Sequence, residues 1–270
     1  MNFAAIVLAA DRRPPDPVAR AAGVPCKSLT PLAGKPLLSR VIAALDQSRL
    51  VERIVVCGPE EAAWRNLTLP RSGKPVRWIP PAPSPSLSAW NGLEQVPKEM
   101  PALLTTADIA FPKATTFDDF CRQARNGDTD VAVGLVPLAP VNERFPDVRR
   151  TALKFADGPF CTCNLFAFLT PRGRELVTFW RRLEQERKRP WRMIRQLGIV
   201  PLVRYWRGRL TTAEVAGRVE EQLGIRIRFV ILNEPEAAID IDTPEDLALA
   251  RRYLEAARRS SPGESGDSTS

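Results

Sequence analysis

Phe3-Ala-Ala-Ile-Val-Leu-Ala-Ala10 opens the chain as an unbroken apolar run that ends at Asp11. A strand buried on both faces of a parallel sheet reads this way, without the alternation of a half-exposed strand. In open α/β sheets, ligands bind at the loops leaving the C-terminal ends of such strands. Here that loop leads to Pro25-Cys-Lys27-Ser-Leu29, and Lys27 can neutralise a phosphate. Gly34-Lys-Pro-Leu-Leu38 then supplies a second turn, with Pro36 at the start of an apolar helix over Leu37–Leu45. The opening run lacks a basic leader and meets an acid after about eight residues, so it reads as a first strand rather than a signal peptide.

The chain has 270 residues, 44% of them hydrophobic, which suits one α/β domain carrying an insertion. No stretch of about eighteen apolar residues marks a membrane span. Five cysteines at irregular spacing argue against a disulfide framework and suit a reducing, cytoplasmic setting. Cys161-Thr-Cys163 has poor zinc spacing and reads as two small buried strand residues. The chain contains no histidine, which removes Ser-His-Asp and Cys-His catalysis. Chemistry is left to carboxylates, lysine or arginine, backbone amides, or a metal held by oxygen ligands.

Further strands are expected at Arg53–Cys57, Val76–Ile79, Ala102–Thr106, Asp130–Val136, Cys163–Leu169 and Ile225–Leu232, with Asp240-Ile-Asp242 ending the sheet. Helices are expected over Leu87–Leu93, 115–125 and Thr211–Leu223, from Thr170-Pro171 onward, and after Thr243-Pro-Glu-Asp246. Asn142–Asp157 reads as polar and irregular. Alternating strands and helices favour a mostly parallel sheet with crossover helices. The domain is expected to span 1–258, with a basic helical insertion at 172–223 and a disordered tail at 259–270.

The opening strand, Pro25-x-Lys27-x-Leu29 and Gly34-Lys-Pro-Leu-Leu38 together resemble the N-terminal signature of MobA-like NTP transferases, the molybdopterin-guanylyltransferase-like and sugar-phosphate nucleotidyltransferases. Ile239-Asp-Ile-Asp242-Thr-Pro-Glu-Asp-Leu247 is similar to the family's Asp-x-Asp-Thr-Pro-Glu-Asp-Leu ending. The resemblance implies a Rossmann-like fold of the nucleotide-diphospho-sugar transferase type. It places Ala9, Ala10, Arg12, Arg13 and Lys27 around the nucleotide, with Lys27 and Arg12 on its phosphates. Asp11 stands where the family has its first loop glycine, and Arg12-Arg-Pro-Pro-Asp-Pro17 replaces the flexible run.

Thr105-Thr-Ala-Asp108 looks like the family's Gly-Asp-x-Pro element, which implies Asp108 as a Mg²⁺ ligand. Asp242 would face it as the second ligand, with Asp240 a nearby alternative; Glu245 and Asp246 are better explained as helix-capping charges. Ser84-Pro-Ser86-Leu-Ser88 lies where the family recognises the base, so Ser86 and Ser88 are base contacts, although Ser86 is equally explained as a helix cap. Asn164, in Cys163-Asn-Leu-Phe, is similar to the family's Gly-Asn element near the acceptor.

The implied reaction is attack of a phosphorylated small-molecule acceptor (sugar, alcohol or cofactor phosphate) on the α-phosphorus of an NTP, with release of pyrophosphate. A phosphate monoester is already anionic, so the step needs no general base, in keeping with the missing histidine. Two other readings stay open. A nucleotide-sugar-dependent glycosyltransferase shares the architecture and an Asp-x-Asp motif, though Asp240-x-Asp242 lies later in the chain than such a motif would. A nucleotide-binding module whose altered loop has lost catalysis is the other.

The net charge of +8 is uneven: Arg172–Leu210 holds twelve Arg or Lys against three Glu, and the remainder is close to neutral. Trp191, Ile194 and Leu197 share one helical face while Arg192 and Arg195 turn away from it. This segment reads either as a lid over substrate phosphates or, through 179–209, as a helix lying on anionic lipid at the inner membrane surface. Nucleic-acid binding lacks any supporting aromatic or helix-turn-helix pattern. The interfacial reading predicts that anionic liposomes float the intact chain but not one lacking Arg181–Arg209; equal recovery of both would leave the lid.

Overall fold

The computed structural model describes residues 2–11, 16–69, 71–185, 204 and 207–260. The opening run forms strand β1 (Phe3–Leu8), with Phe3 through Val7 fully buried. Its side chains alternate between two cores, as the pleat requires. Phe3, Ala5 and Val7 meet helices α2 (Leu37–Gln47) and α5 (Ala114–Ala124) on one face. Ala4 and Ile6 meet α4 (Pro85–Leu93) and α7 (Pro171–Gln185) on the other. Burial on both faces explains the missing polar alternation.

β1 pairs in parallel with β4 (Val51–Cys57) on one side and β6 (Ala102–Thr106) on the other. The chain thus leaves β1 towards one half of the sheet and returns beside it for the second half. That reversal opens a crevice beyond the C-terminal strand ends. The full order is β10 (Ile227–Ile231), β7 (Val131–Pro137), β9 (Gly158–Phe168), β6, β1, β4, β5 (Val76–Ile79), with β8 (Leu153–Phe155) paired to β9. β9 runs antiparallel to β6, β7 and β8; the other pairs of this sheet are parallel.

Several expectations are corrected. β9 begins at Gly158 rather than Cys163, because Gly158 (φ +140°) closes a hairpin to β8 within the segment read as irregular. That segment also holds the end of α6 (Leu138–Arg144). Ile239–Asp242 forms no strand: it makes one isolated bridge, Ile109 to Asp240, squeezed between a 3-10 turn at Pro235–Ala238 and the proline that starts α9 (Pro244–Ser260). The proline-rich loop after β1 ends in a short helix, α1 (Pro17–Ala22), whose first N–H groups bond to Asp16 and whose end is turned by Gly23 in the left-handed region. The remaining elements are β2 (Pro31–Leu32) and β3 (Lys35–Pro36), a small hairpin turned by Ala33 and Gly34, with α3 (Glu61–Arg65) and α8 (Thr212–Leu223). The expected helix around Trp191, and most of the tail, lie outside the described residues, and among those described no helix is long and apolar enough to cross a membrane.

α7 begins against the sheet without clearance. A Cβ on Gly173 would stand 2.2 Å from the backbone oxygen of Asp130, which already accepts from Leu169 N. Gly173→Ala is therefore expected to lower unfolding free energy by about 1–3 kcal/mol, although alanine favours a helix interior by about 1 kcal/mol. Urea unfolding checks this; an unchanged midpoint would show that α7 can shift freely.

Candidate nucleotide-transfer site

The crevice at the strand ends holds a cleft of about 360 Å³, lined by the ends of β1 and β6, the Lys27 turn, Ala82–Pro85, Ser88, Asn164, Asp240 and Asp242. Ala9 and Ala10 form its floor. Lys27 starts a 3-10 turn, and local bonds fix that turn beneath β1. Ser28 Oγ donates to Ala9 O (2.8 Å), and Lys27 N donates to Asp11 Oδ1 (2.9 Å). Asp11 thus anchors the lysine turn where the resembled glycine loop would use flexibility.

Asp108 and Asp242 come together although 134 positions separate them. Ala110 N donates to Ile239 O (2.9 Å) and Ile241 N to Asp108 O (3.0 Å), laying the two segments side by side. Asp246 Oδ2 accepts from Asp242 N and Thr243 N and fixes the start of α9 against them. Lys27 Nζ then donates to Asp108 Oδ2 (2.6 Å) and Asp242 Oδ1 (3.1 Å), and Thr106 Oγ1 donates to Asp108 Oδ1 (2.5 Å).

Burial opposes charge on both partners of this pair, and the pairing overcomes it. Desolvation would raise the Asp108 carboxyl, but the Lys27 ammonium and the bonds from Lys27 and Thr106 hold it below the usual carboxylate value. Desolvation would lower Lys27, but Asp108 and then Asp242 raise it above its ordinary value. Burial pushes Asp11 up, against the Lys27 N–H that lowers it. Asp240 is likewise raised by burial, against the charge of Arg150.

On the opposite wall, Asn164 sits in β9 with φ +53°, a conformation asparagine tolerates, beside a register break in the β7–β9 pairing. Gly134 makes room there: a Cβ on it would lie 2.5 Å from Cys163 Sγ. Asn164 Nδ2 donates to Asp240 Oδ2 (3.0 Å), and Arg150 pairs with the same carboxylate.

The structure therefore brings Ala9, Ala10, Lys27, Ser88, Asp108, Asn164 and Asp242 to one cleft. It turns Ser86 away from that cleft. Ser86 is fully buried and donates from N and Oγ to Glu184 of α7, while Ser84, not Ser86, caps α4. Ser88 lines the cleft, but its Oγ accepts from Ala82 N (3.1 Å) and so shapes the wall. Arg12 and Arg13 lie outside the described residues. Sequence reasoning missed Thr106, Arg150 and Glu184. A hydroxyl two residues before Asp108 was the legible clue to the first; the other two are fixed by tertiary contact alone.

The buried pair has a pH signature. In Lys27→Met, Asp108 loses its cation and remains desolvated, so its folded pKa rises above the unfolded one. An acid raised in this way destabilises the fold once pH exceeds the unfolded value, near 4. The variant is expected to be about 3 kcal/mol less stable than wild type at pH 8, and the deficit should shrink towards pH 4. Thermal unfolding across that range checks it; a deficit independent of pH would rule out the buried pair as its source.

Comparisons with known proteins bear on the family and the fold. The MobA-like NTP transferase domain matches residues 5–197. No curated protein matches the chain. Among solved structures the chain is similar to a hypothetical transferase from Thermus thermophilus, with TM-score 0.78 and 28% identity over 92% of this chain and 100% of that one. It is also similar to CMP:2-keto-3-deoxy-manno-octonic acid synthetase in complex with CTP, with TM-score 0.56 and 14% identity over 95% and 100% of the two chains. For 2-C-methyl-D-erythritol 4-phosphate cytidylyltransferase from Francisella tularensis the values are 0.57 and 14% over 93% and 99%. The last two likenesses are of fold, and they identify the architecture as the nucleotide-diphospho-sugar transferase type. Because this match spans more than half of the chain, including most of β1, the Lys27 turn and Asp108, the chain belongs to the MobA-like NTP transferase family of nucleotidyltransferases.

Proposed function

We propose that this nucleotidyltransferase couples an NTP to a phosphorylated small-molecule acceptor with Mg²⁺ as cofactor, releasing pyrophosphate. The observation that carries the proposal is the convergence of Asp108 Oδ2 and Asp242 Oδ1 on one ammonium, at 2.6 and 3.1 Å. Two carboxylate oxygens meeting at one cation, one just past the end of β6 and one just past the Ile109–Asp240 bridge, suit Mg²⁺, which takes one or two carboxylates and completes its shell with phosphate and water. Five aspartates line the cleft (Asp11, Asp16, Asp108, Asp240 and Asp242), and Lys27 is the one cationic side chain in that lining among the described residues. A polyphosphate entering so acidic a cleft needs further positive charge. Bound with the NTP, Mg²⁺ would supply that neutralisation.

The chain's own residues then act by position and charge. Lys27 neutralises the phosphates, a role the family resemblance extends to Arg12 and Arg13, and Ala9 and Ala10 bring backbone close to the nucleotide. Asn164 orients the acceptor. Its phosphate oxygen forms the new bond to the α-phosphorus as the bond to pyrophosphate breaks. No proton has to be removed from a dianionic acceptor, so the lack of histidine is no obstacle. CTP is the first donor to try, because two of the fold neighbours are named for CTP or cytidylyl transfer.

Pyrophosphate release should appear with one NTP, Mg²⁺ and a member of a panel of sugar, alcohol and cofactor phosphates. Asp108→Asn and Lys27→Ala should each reduce it by about a hundredfold or more. Nucleotide binding without turnover across the panel would favour the impaired binding module. Consumption of a nucleotide sugar without pyrophosphate would favour the glycosyltransferase.

A further inference from the structure

We infer that Glu184 and Arg174 of α7 are positioning residues for the nucleoside side of the cleft, acting through α4; the inference rests on the nucleotidyltransferase reading above. The wall in question is Ala82–Pro85 and Ser88, the turn and first residues of α4. Among the described residues, Cys57 at the end of β4 reaches this wall through the backbone oxygen of Ser88. The wall's placement depends on where α4 lies.

α4 has no freedom to slide inward. A Cβ on Gly92 would stand 2.5 Å from Ile6 Cγ2, so the helix already rests on β1, and Cys57 Sγ donates to Ser88 O (3.3 Å) from β4. α7 controls it from outside, running antiparallel and gripping both ends. At the C-terminal end, Arg174 is buried, and its guanidinium donates to Leu93 O (3.3 Å), Val96 O (2.9 Å), Pro97 O (2.6 Å) and Met100 O (2.8 Å). These carbonyls lie at the end of α4 and in the turn beyond it, where backbone acceptors lack helical partners. At the N-terminal end, Glu184 accepts from Ser86 N (3.4 Å) and from Ser86 Oγ. A carboxylate at a helix N-terminus also complements its dipole.

The spacing matches. Ten residues of α7 separate the two side chains, about 15 Å of helix, close to the length from Ser86 to the turn after α4. The N-terminal grip is the one next to the cleft. Ser84 caps the helix and Ser88 holds Ala82 N, so a shift of Ser86 moves the wall on both sides of it. Among the described residues Glu184 bonds to Ser86, which is not in the cleft lining, and this separates positioning from direct binding.

Two readouts test the inference. Amide hydrogen exchange on the full chain without ligand should show faster exchange at 86–88 in Glu184→Ala and in Ser86→Ala, with β6 unchanged. Glu184→Gln, which can still accept both bonds, should restore protection. In steady-state assays Glu184→Ala should raise KM for the NTP by about tenfold with kcat changed by less than about twofold, and the double variant should be no worse than either single. Unaltered protection at 86–88, or a loss in kcat with KM unchanged, would overturn the positioning role. Should the wild type turn over no NTP, the exchange result still decides the α4–α7 clamp, and only the function proposed above would fall.

Discussion

A lysine ammonium held between two carboxylates from distant parts of the chain is the constraint on which the cleft depends. Moving Asp108 out of water would cost several kcal/mol without a cation beside it. Lys27 provides that cation, and its backbone is tied in turn to Asp11. The same ammonium reaches Asp242, so the turn after β1, the end of β6 and the approach to α9 share one electrostatic centre. Backbone bonds between Asp108–Ala110 and Ile239–Ile241 fix the spacing that makes the contact possible. Removing the lysine would loosen three segments at once.

The charge of the whole chain says little about this centre. A net charge of +8 suggests an electropositive surface, yet the described lining of the cleft carries five aspartates and a single lysine. Much of the positive charge lies between Arg172 and Leu210 in the sequence. An acidic lining of this kind favours a polyphosphate that brings its own cations, as the proposed function requires. Asp11 adds to this demand: in the glycine position it contributes a charge that partial burial makes costly, and gives in exchange a fixed lysine turn.

How much of this was legible in the sequence depended on whether a signal was local. β1, α2 and β6 were readable because burial on both faces, or on one helical stripe, leaves a periodic record. Asp108 was readable as a strand-end acid and Asp242 as part of the closing motif, although the segment before Asp242 makes only an isolated bridge. Ser86 was not: two roles fitted the same Ser84-Pro-Ser86 pattern, and only the arrival of Glu184 from α7 decides that its hydroxyl points away from the cleft. Gly134 was equally silent, since its need for space is set by Cys163 on the neighbouring strand. Asp240-Ile-Asp242 read as the end of the sheet; the 3-10 turn before it and Pro244 after it leave length for one bridge. α1 was hidden because Pro17 starts this helix rather than breaking it.

The most direct test of the account is Mn²⁺ binding followed by electron paramagnetic resonance, with Mn²⁺ standing in for Mg²⁺ as another oxygen-preferring cation. The wild type, Asp108→Asn and Asp242→Asn would each be titrated with and without CTP, ATP, GTP or UTP. The account predicts that one nucleotide tightens Mn²⁺ binding in the wild type and that both substitutions abolish the gain. Mn²⁺ binding that no nucleotide strengthens, or a gain that survives both substitutions, would contradict a cation site built on Asp108 and Asp242.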